Sequence, residues 1–176
     1  MRRDETQQRD IEPLFASNQT GTMAERNVVT LNTILSRQRI HLARPMADDH
    51  GVDFDAFREG EPFTLSIQVK SDSKATKVGG LQFFFRLWTM PTKLDSYFAL
   101  LLPQHIGSPQ AGPDLWWIPG DVVVGGRDRS KTRLIEVNPG SPFPRKWGPY
   151  RHPITEMADL IGRELDRLNS PSRRPT

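Results

Sequence analysis

The sequence predicts an α/β or α+β domain in which one sheet is flanked by helices. Two observations carry this reading. Apolar residues recur at helical spacing near both ends of the chain, and several short runs of strand character lie between them. The order helix, strands, helix suits a single sheet covered by helices. No internal repeat is present. At 176 residues the chain has the size of one ordinary domain with a real core.

Residues 1–21 are polar and rich in Gln, Arg, Asp and Thr, which predicts a flexible tail. The apolar spacing of Val28, Val29, Leu31, Ile34 and Leu35 predicts a helix over about 23–37. Arg39 to Ala43 reads as a short strand, and Asp48-Asp49-His50-Gly51 as a turn. Val52–Phe57 and Phe63–Lys70 read as two strands joined at Arg58-Glu59-Gly60-Glu61-Pro62, a hairpin. Ser71 to Gly80 reads as a loop. Leu81–Trp88 suits a strand or a short buried helix, which periodicity does not separate. Further strands are expected at Ser96–Leu102, Leu115–Ile118 and Arg133–Val137, with residues 138–153 irregular. Met157, Leu160, Ile161, Leu165 and Leu168 predict a helix over 154–168, and 169–176 a second polar tail. Residues 22–168 are thus expected to form a single domain.

Composition excludes several chemistries. There is no cysteine, so disulfides, zinc ribbons and thiol nucleophiles are absent. The histidines His41, His50, His105 and His152 have no close metal-ligand spacing. Gly79-Gly80 and Gly125-Gly126 lack the Gly-Lys-Ser/Thr ending of a phosphate loop. Ser66 and Ser71 have no evident partner for nucleophilic catalysis. No apolar run approaches the roughly 20 residues of a membrane span, and Met1-Arg2-Arg3-Asp4-Glu5 has no apolar signal core. A cytoplasmic protein is the expectation. The formal charge of +3 is compatible with a nucleic-acid partner without requiring one.

The chemistry is concentrated in Phe63-Thr64-Leu65-Ser66-Ile67-Gln68-Val69-Lys70. On a strand, Phe63, Leu65, Ile67 and Val69 share one face, and Thr64, Ser66, Gln68 and Lys70 the other. Folding the hairpin about Gly60 and Glu61 brings Asp53 approximately opposite Gln68, within a residue or two of register. A carboxylate, an amide oxygen and an ammonium group then share one patch. Mg²⁺ prefers oxygen ligands and keeps several waters. Asp53, Gln68 and the Val69 carbonyl can supply such oxygens. Lys70 can orient or deprotonate the attacking water and stabilise charge on a phosphate.

Gly51-Val52-Asp53-Phe54, followed after the hairpin by Ile67-Gln68-Val69-Lys70-Ser71, resembles the D…(E/Q)xK core of PD-(D/E)XK nucleases. The Gln variant is similar to the branch that holds group I intron homing endonucleases of this fold and Mrr-like proteins. Gly80-Leu81-Gln82-Phe83, Leu94-Asp95-Ser96-Tyr97-Phe98-Ala99 and Leu115-Trp116-Trp117-Ile118-Pro119 resemble its later strands, so the likeness spans about 22–120. The resemblance implies a restriction-endonuclease-like core with a mixed central sheet. It also implies a divalent-metal-dependent endodeoxyribonuclease using Mg²⁺ or Mn²⁺, with DNA as partner and self-association common. It points to Glu25 on the first helix as a further metal ligand.

Each feature has a plainer explanation. Asp53 suits a turn-adjacent surface position, and Gln68 with Lys70 the solvated face of an edge strand. Glu25 completes a Thr22-x-x-Glu25 capping box. Asp55 would share the face of Asp53, and Asp95 reads as structural. Arg127, Arg129, Lys131 and Arg133 form one basic cluster. Arg145, Lys146 and Arg151, with Trp147 and Tyr150 interleaved, form another. Both suit DNA contacts or simply solvated loops. The alternative function is a catalytically weak or inactive nuclease-fold module that binds DNA or a protein.

Overall fold

The computed structural model describes residues 24–46, 51–71, 74–75, 80–103, 112–140 and 146–170. The first helix, α1, covers residues 24–35. Ala24, Val28 and Asn32 are buried on it, with Leu31 and Leu35 packed beside them. Val29 and Ile34, which share the predicted apolar set, face outward. The Asn32 amide donates to the Ile40 carbonyl at 2.9 Å and ties the helix to the segment that leads into the sheet.

Among the described residues, nine strands lie beyond it: β1 (His41–Ala43), β2 (Phe54–Phe57), β3 (Leu65–Lys70), β4 (Lys74–Ala75), β5 (Leu81–Arg86), β6 (Tyr97–Leu101), β7 (Asp114–Pro119), β8 (Thr132–Val137) and β9 (Arg151–Pro153). Two further helices are α2 (Gly120–Val124) and α3 (Met157–Asn169). The large sheet is mixed, in the order β1-β2-β3-β6-β7-β9: β3 and β6 pair in parallel and the other neighbours antiparallel. This is the α/β architecture with a mixed central sheet that the sequence predicts.

The sequence reading does not contain a second sheet, yet β4, β5 and β8 form one. It arises because residues 81–86 form a strand and pair along their whole length with Thr132–Val137. A short 3₁₀ turn, Leu87–Thr89, ends that strand. Two other elements also depart from the expectation. Gly120-Asp121-Val122-Val123-Val124 is helical despite its β-branched run, bounded by Pro119 before it and Gly125 in the left-handed conformation after it. Arg151–Pro153 lies in the stretch read as irregular but pairs with β7.

Strand alternation divides the interior into two cores. Leu65, Ile67, Val69, Phe98, Leu100 and Trp117 face α1 and α3, where Met157, Leu160, Ile161, Leu165 and Leu168 of α3 meet them. Fully burying each such aliphatic side chain contributes about 1.5–3 kcal/mol before entropy is counted. The opposite face carries Tyr97, Ala99, Leu101, Trp116 and Ile118, covered by Phe83, Phe85 and Ile135 of the small sheet and by α2. The molecule is therefore layered as helices, large sheet, small sheet. Among the described residues, no helix is long and apolar enough to cross a membrane.

Candidate active site

The site grows from the polar face of β3. With Leu65, Ile67 and Val69 anchored among the helices, Ser66, Gln68 and Lys70 are turned toward the small-sheet side. The β2–β3 register pairs Phe54 with Ile67 and Asp55 with Ser66. One step further, Asp53 falls across from Gln68. The Asp53 N–H donates to the Ile67 carbonyl at 2.9 Å, and its Oδ2 accepts the Val69 N–H at 2.6 Å. Asp55, on the same face, accepts the Ser66 hydroxyl at 2.8 Å.

Gln68 is buried, and its Oε1 accepts the Tyr97 hydroxyl at 2.7 Å. Tyr97 comes from β6, whose parallel register sets it across from Ser66 and sets Ala99 across from Gln68. Its hydroxyl also reaches the Gly51 carbonyl at 3.4 Å. Gly51 has φ +55°, and a Cβ there would stand 2.9 Å from the Gln68 amide nitrogen. The left-handed backbone favours glycine there, and a side chain would also press on the amide beside it. Burial, and secondarily the Asp53 carboxylate, push the Tyr97 phenol far above its ordinary pKa. Tyr97 therefore stays a hydrogen-bond donor throughout the physiological range. Lys70 is half-buried, with its ammonium 5.9 Å from the centre of the Phe85 ring.

The candidate donor oxygens of this patch are the Asp53 carboxylate, the Gln68 amide oxygen and the Val69 carbonyl. A strand residue sends its N–H and C=O to the same side. The Val69 carbonyl therefore follows its N–H toward Asp53, while the Lys70 carbonyl accepts the Leu102 N–H at 2.9 Å on the other side. All are hard donors, which fit a largely hydrated Mg²⁺ or Mn²⁺ better than a soft metal. The Asp53 Oδ2 accepts the Val69 N–H and the Gln68 Oε1 accepts the Tyr97 hydroxyl, and a carbonyl-type oxygen has two lone pairs. The negative charge is low: among the described residues no group of three or more His, Cys, Asp or Glu side chains gathers at one point.

This architecture has a known parallel. The fold is similar to that of the bacterial homing endonuclease I-Ssp6803I. The match covers 80% of this chain and 91% of that one, with a TM-score of 0.51 and 18% sequence identity. No protein-family model and no curated protein sequence matches the chain. At that identity the homing-endonuclease likeness concerns the fold.

The remaining sequence candidates have definite places. Glu25, on α1, binds Arg44 through its Oε2 at 2.5 Å, and the Arg44 guanidinium lies 5.8 Å from the Phe54 ring centre. Thr22, the other half of the expected capping box, lies outside the described residues, as do His50, His105 and Arg145. Arg129 is held by the backbone carbonyls of Met90 and Pro91, the latter at 2.8 Å, and so braces a loop. Arg127, Lys131 and Lys146 are exposed. Arg151 pairs with Asp114 at 2.6 Å. Sequence reasoning places Tyr97 only within an apolar strand and misses its part in the site. The available signal is its hydroxyl, a polar atom followed by the apolar run Phe98-Ala99-Leu100-Leu101-Leu102.

Proposed function

We propose that the protein is a divalent-metal-dependent endodeoxyribonuclease that hydrolyses DNA phosphodiester bonds. The observation that supports this most is that Asp53, beside β2, falls across from Gln68 on the face of β3 that also carries Lys70, within a homing-endonuclease-like fold. In this reading Asp53, Gln68 and the Val69 carbonyl hold Mg²⁺ or Mn²⁺. The ion supplies Lewis-acid charge at the scissile phosphate and acidifies the attacking water. The Val69 N–H orients the Asp53 carboxylate, and the Tyr97 hydroxyl orients the Gln68 amide. Lys70 offsets the negative charge that builds on the phosphate as water adds. Water adds across the P–O3′ bond, leaving a 5′-phosphate and a 3′-hydroxyl. Glu25, through Arg44, braces the start of β2 in the structure, and we assign it that positioning task ahead of direct metal binding.

The test is cleavage of a DNA panel with Mg²⁺. Asp53→Ala and Lys70→Ala are each expected to lose activity by at least 100-fold, with circular dichroism and melting behaviour retained. Wild-type rates in either variant would remove that residue from the mechanism.

One observation favours a second reading, a DNA-binding module with little catalysis. The acid common at the Gln68 position of this superfamily is here an amide, already engaged by Tyr97. DNA binding with neither cleavage nor a calorimetric signal for Mg²⁺ or Mn²⁺ would select it.

A further inference from the structure

The two basic segments of the sequence, 127–133 and 146–151, converge on one indole. The Arg133 guanidinium lies 5.3 Å from the Trp147 ring centre, and the Lys146 ammonium 5.1 Å from it. Arg133 is only 6% exposed. Among the described residues no carboxylate pairs with it, and the charge that acts on it is another cation, Arg127. Burial, with Arg127 second, presses its pKa below the usual arginine value. A buried guanidinium without a counter-charge is costly, and the face of an indole offsets only part of that cost. The surroundings nevertheless preserve it. Gly125, at φ +56°, closes α2 where a Cβ would run into the Arg133 guanidinium.

The location gives this unbalanced charge a meaning. Arg133 is the cross-strand partner of Phe85, so the two side chains leave the same face of the small sheet. The Phe85 ring is also the one beneath the Lys70 ammonium. Arg133 therefore stands one strand, roughly 5 Å of backbone, beyond the aromatic floor of the candidate active site. An anion held there would lie beside the phosphate at Lys70. Arginine suits phosphate because its planar fork can donate two parallel hydrogen bonds.

We propose that Arg133, seated on Trp147 and assisted by Lys146 and Arg127, binds a backbone phosphate of the DNA strand adjacent to the one cleaved. This rests on the nuclease reading for the identity of the polyanion. It assigns Arg133 a sequence-independent positioning task.

The experiment uses the full chain in chelator, so that cleavage plays no part. Binding of labelled duplexes of unrelated sequence is followed by fluorescence anisotropy across a salt series. Arg133→Met is expected to reduce the slope of log affinity against log salt by about 0.9, one lost phosphate contact, and Lys146→Ala and Arg127→Ala by a smaller amount. The reduction should be equal on every sequence, and Arg133→Lys should restore the slope. Arg133→Met should melt no earlier than wild type, because an apolar chain replaces an unbalanced charge. Pyrophosphate, against sodium chloride of equal ionic strength, should raise the melting temperature of wild type but not of Arg133→Met.

If wild type binds DNA and these variants keep its full slope, the phosphate site is wrong and the nuclease reading survives. If pyrophosphate acts through Arg133 while DNA does not bind, the phosphate site stands and the DNA reading falls. Should Arg133→Met melt early, the exposed Lys146→Ala and Arg127→Ala decide by the same slope.

Discussion

Tyr97 fixes the orientation of Gln68. An amide can present either its oxygen or its nitrogen to a neighbour. The buried phenol, a donor at neutral pH, settles the choice by taking the oxygen at 2.7 Å. Tyr97→Phe removes that donor and leaves a buried amide oxygen with one partner fewer. The expected cost is about 1–2 kcal/mol of stability and slower cleavage from a mispositioned amide. The same residue sets an alkaline limit. Its folded pKa lies far above the value near 10 of an unfolded tyrosine. The folded state therefore keeps a proton that the unfolded state releases. Stability from this source is complete below about pH 10 and drains away as pH rises beyond it. Denaturant titrations from pH 8 to 11 should show a steeper decline for wild type than for Tyr97→Phe. Parallel declines would show that Tyr97 does not control the alkaline limit.

At the scale of elements, the hairpin and α3 are fastened at the end remote from the site. Arg58, at the close of β2, binds Asp166 of α3 at 2.5 Å and donates to the Gly162 carbonyl at 3.2 Å. Glu61 in the turn accepts the Asn169 amide at 2.9 Å, and Asn169 in turn accepts the Phe63 N–H at 3.3 Å. These polar contacts are partly exposed, so each is worth little alone. Arg58→Ala is expected to cost about 1 kcal/mol, a fall in melting temperature of about 2–4 °C. The cleavage rate of the folded fraction should hold, because Asp53 and Lys70 lie at the opposite end of the two strands. A rate loss larger than the stability loss would show that the clamp reaches the site.

The hairpin is legible from residues alone. Alternation along Phe63–Lys70 fixes which side chains are buried, and a turn at Gly60 fixes approximately which residue faces Gln68. The same reasoning finds α3, whose apolar stripe is buried as its spacing predicts. It does not find the small sheet. Phe83 and Phe85 are anchored by Leu81–Arg86 pairing with Thr132–Val137, and no local pattern encodes a partner about 50 residues away. Nor does sequence show that Arg44 takes Glu25, or that Trp147 collects cations from two segments. Such contacts belong to the assembled chain.

At the scale of the whole molecule, the site lies where both cores share a strand. β3 gives its apolar side to the helices and its polar side to the small sheet, and β2 and β6 complete the patch from either flank. The three oxygens proposed for the metal meet only when these strands are assembled. A cation bound there recognises the folded chain and not the unfolded one, so it must raise global stability by mass action. At tenfold excess over its dissociation constant the gain is about 1.4 kcal/mol. For a chain of this size that corresponds to an increase in melting temperature of about 3–5 °C. Thermal unfolding in Mg²⁺ should show this gain over sodium chloride of equal ionic strength. Asp53→Asn should abolish it, since a neutral amide removes the carboxylate of the set while nearly preserving its shape. Glu25→Gln should retain most of it if Glu25 serves through Arg44 as a brace. An equal gain in wild type and Asp53→Asn would place any bound cation elsewhere. A gain lost in Glu25→Gln as completely as in Asp53→Asn would instead make Glu25 a ligand, drawn from Arg44 to the metal.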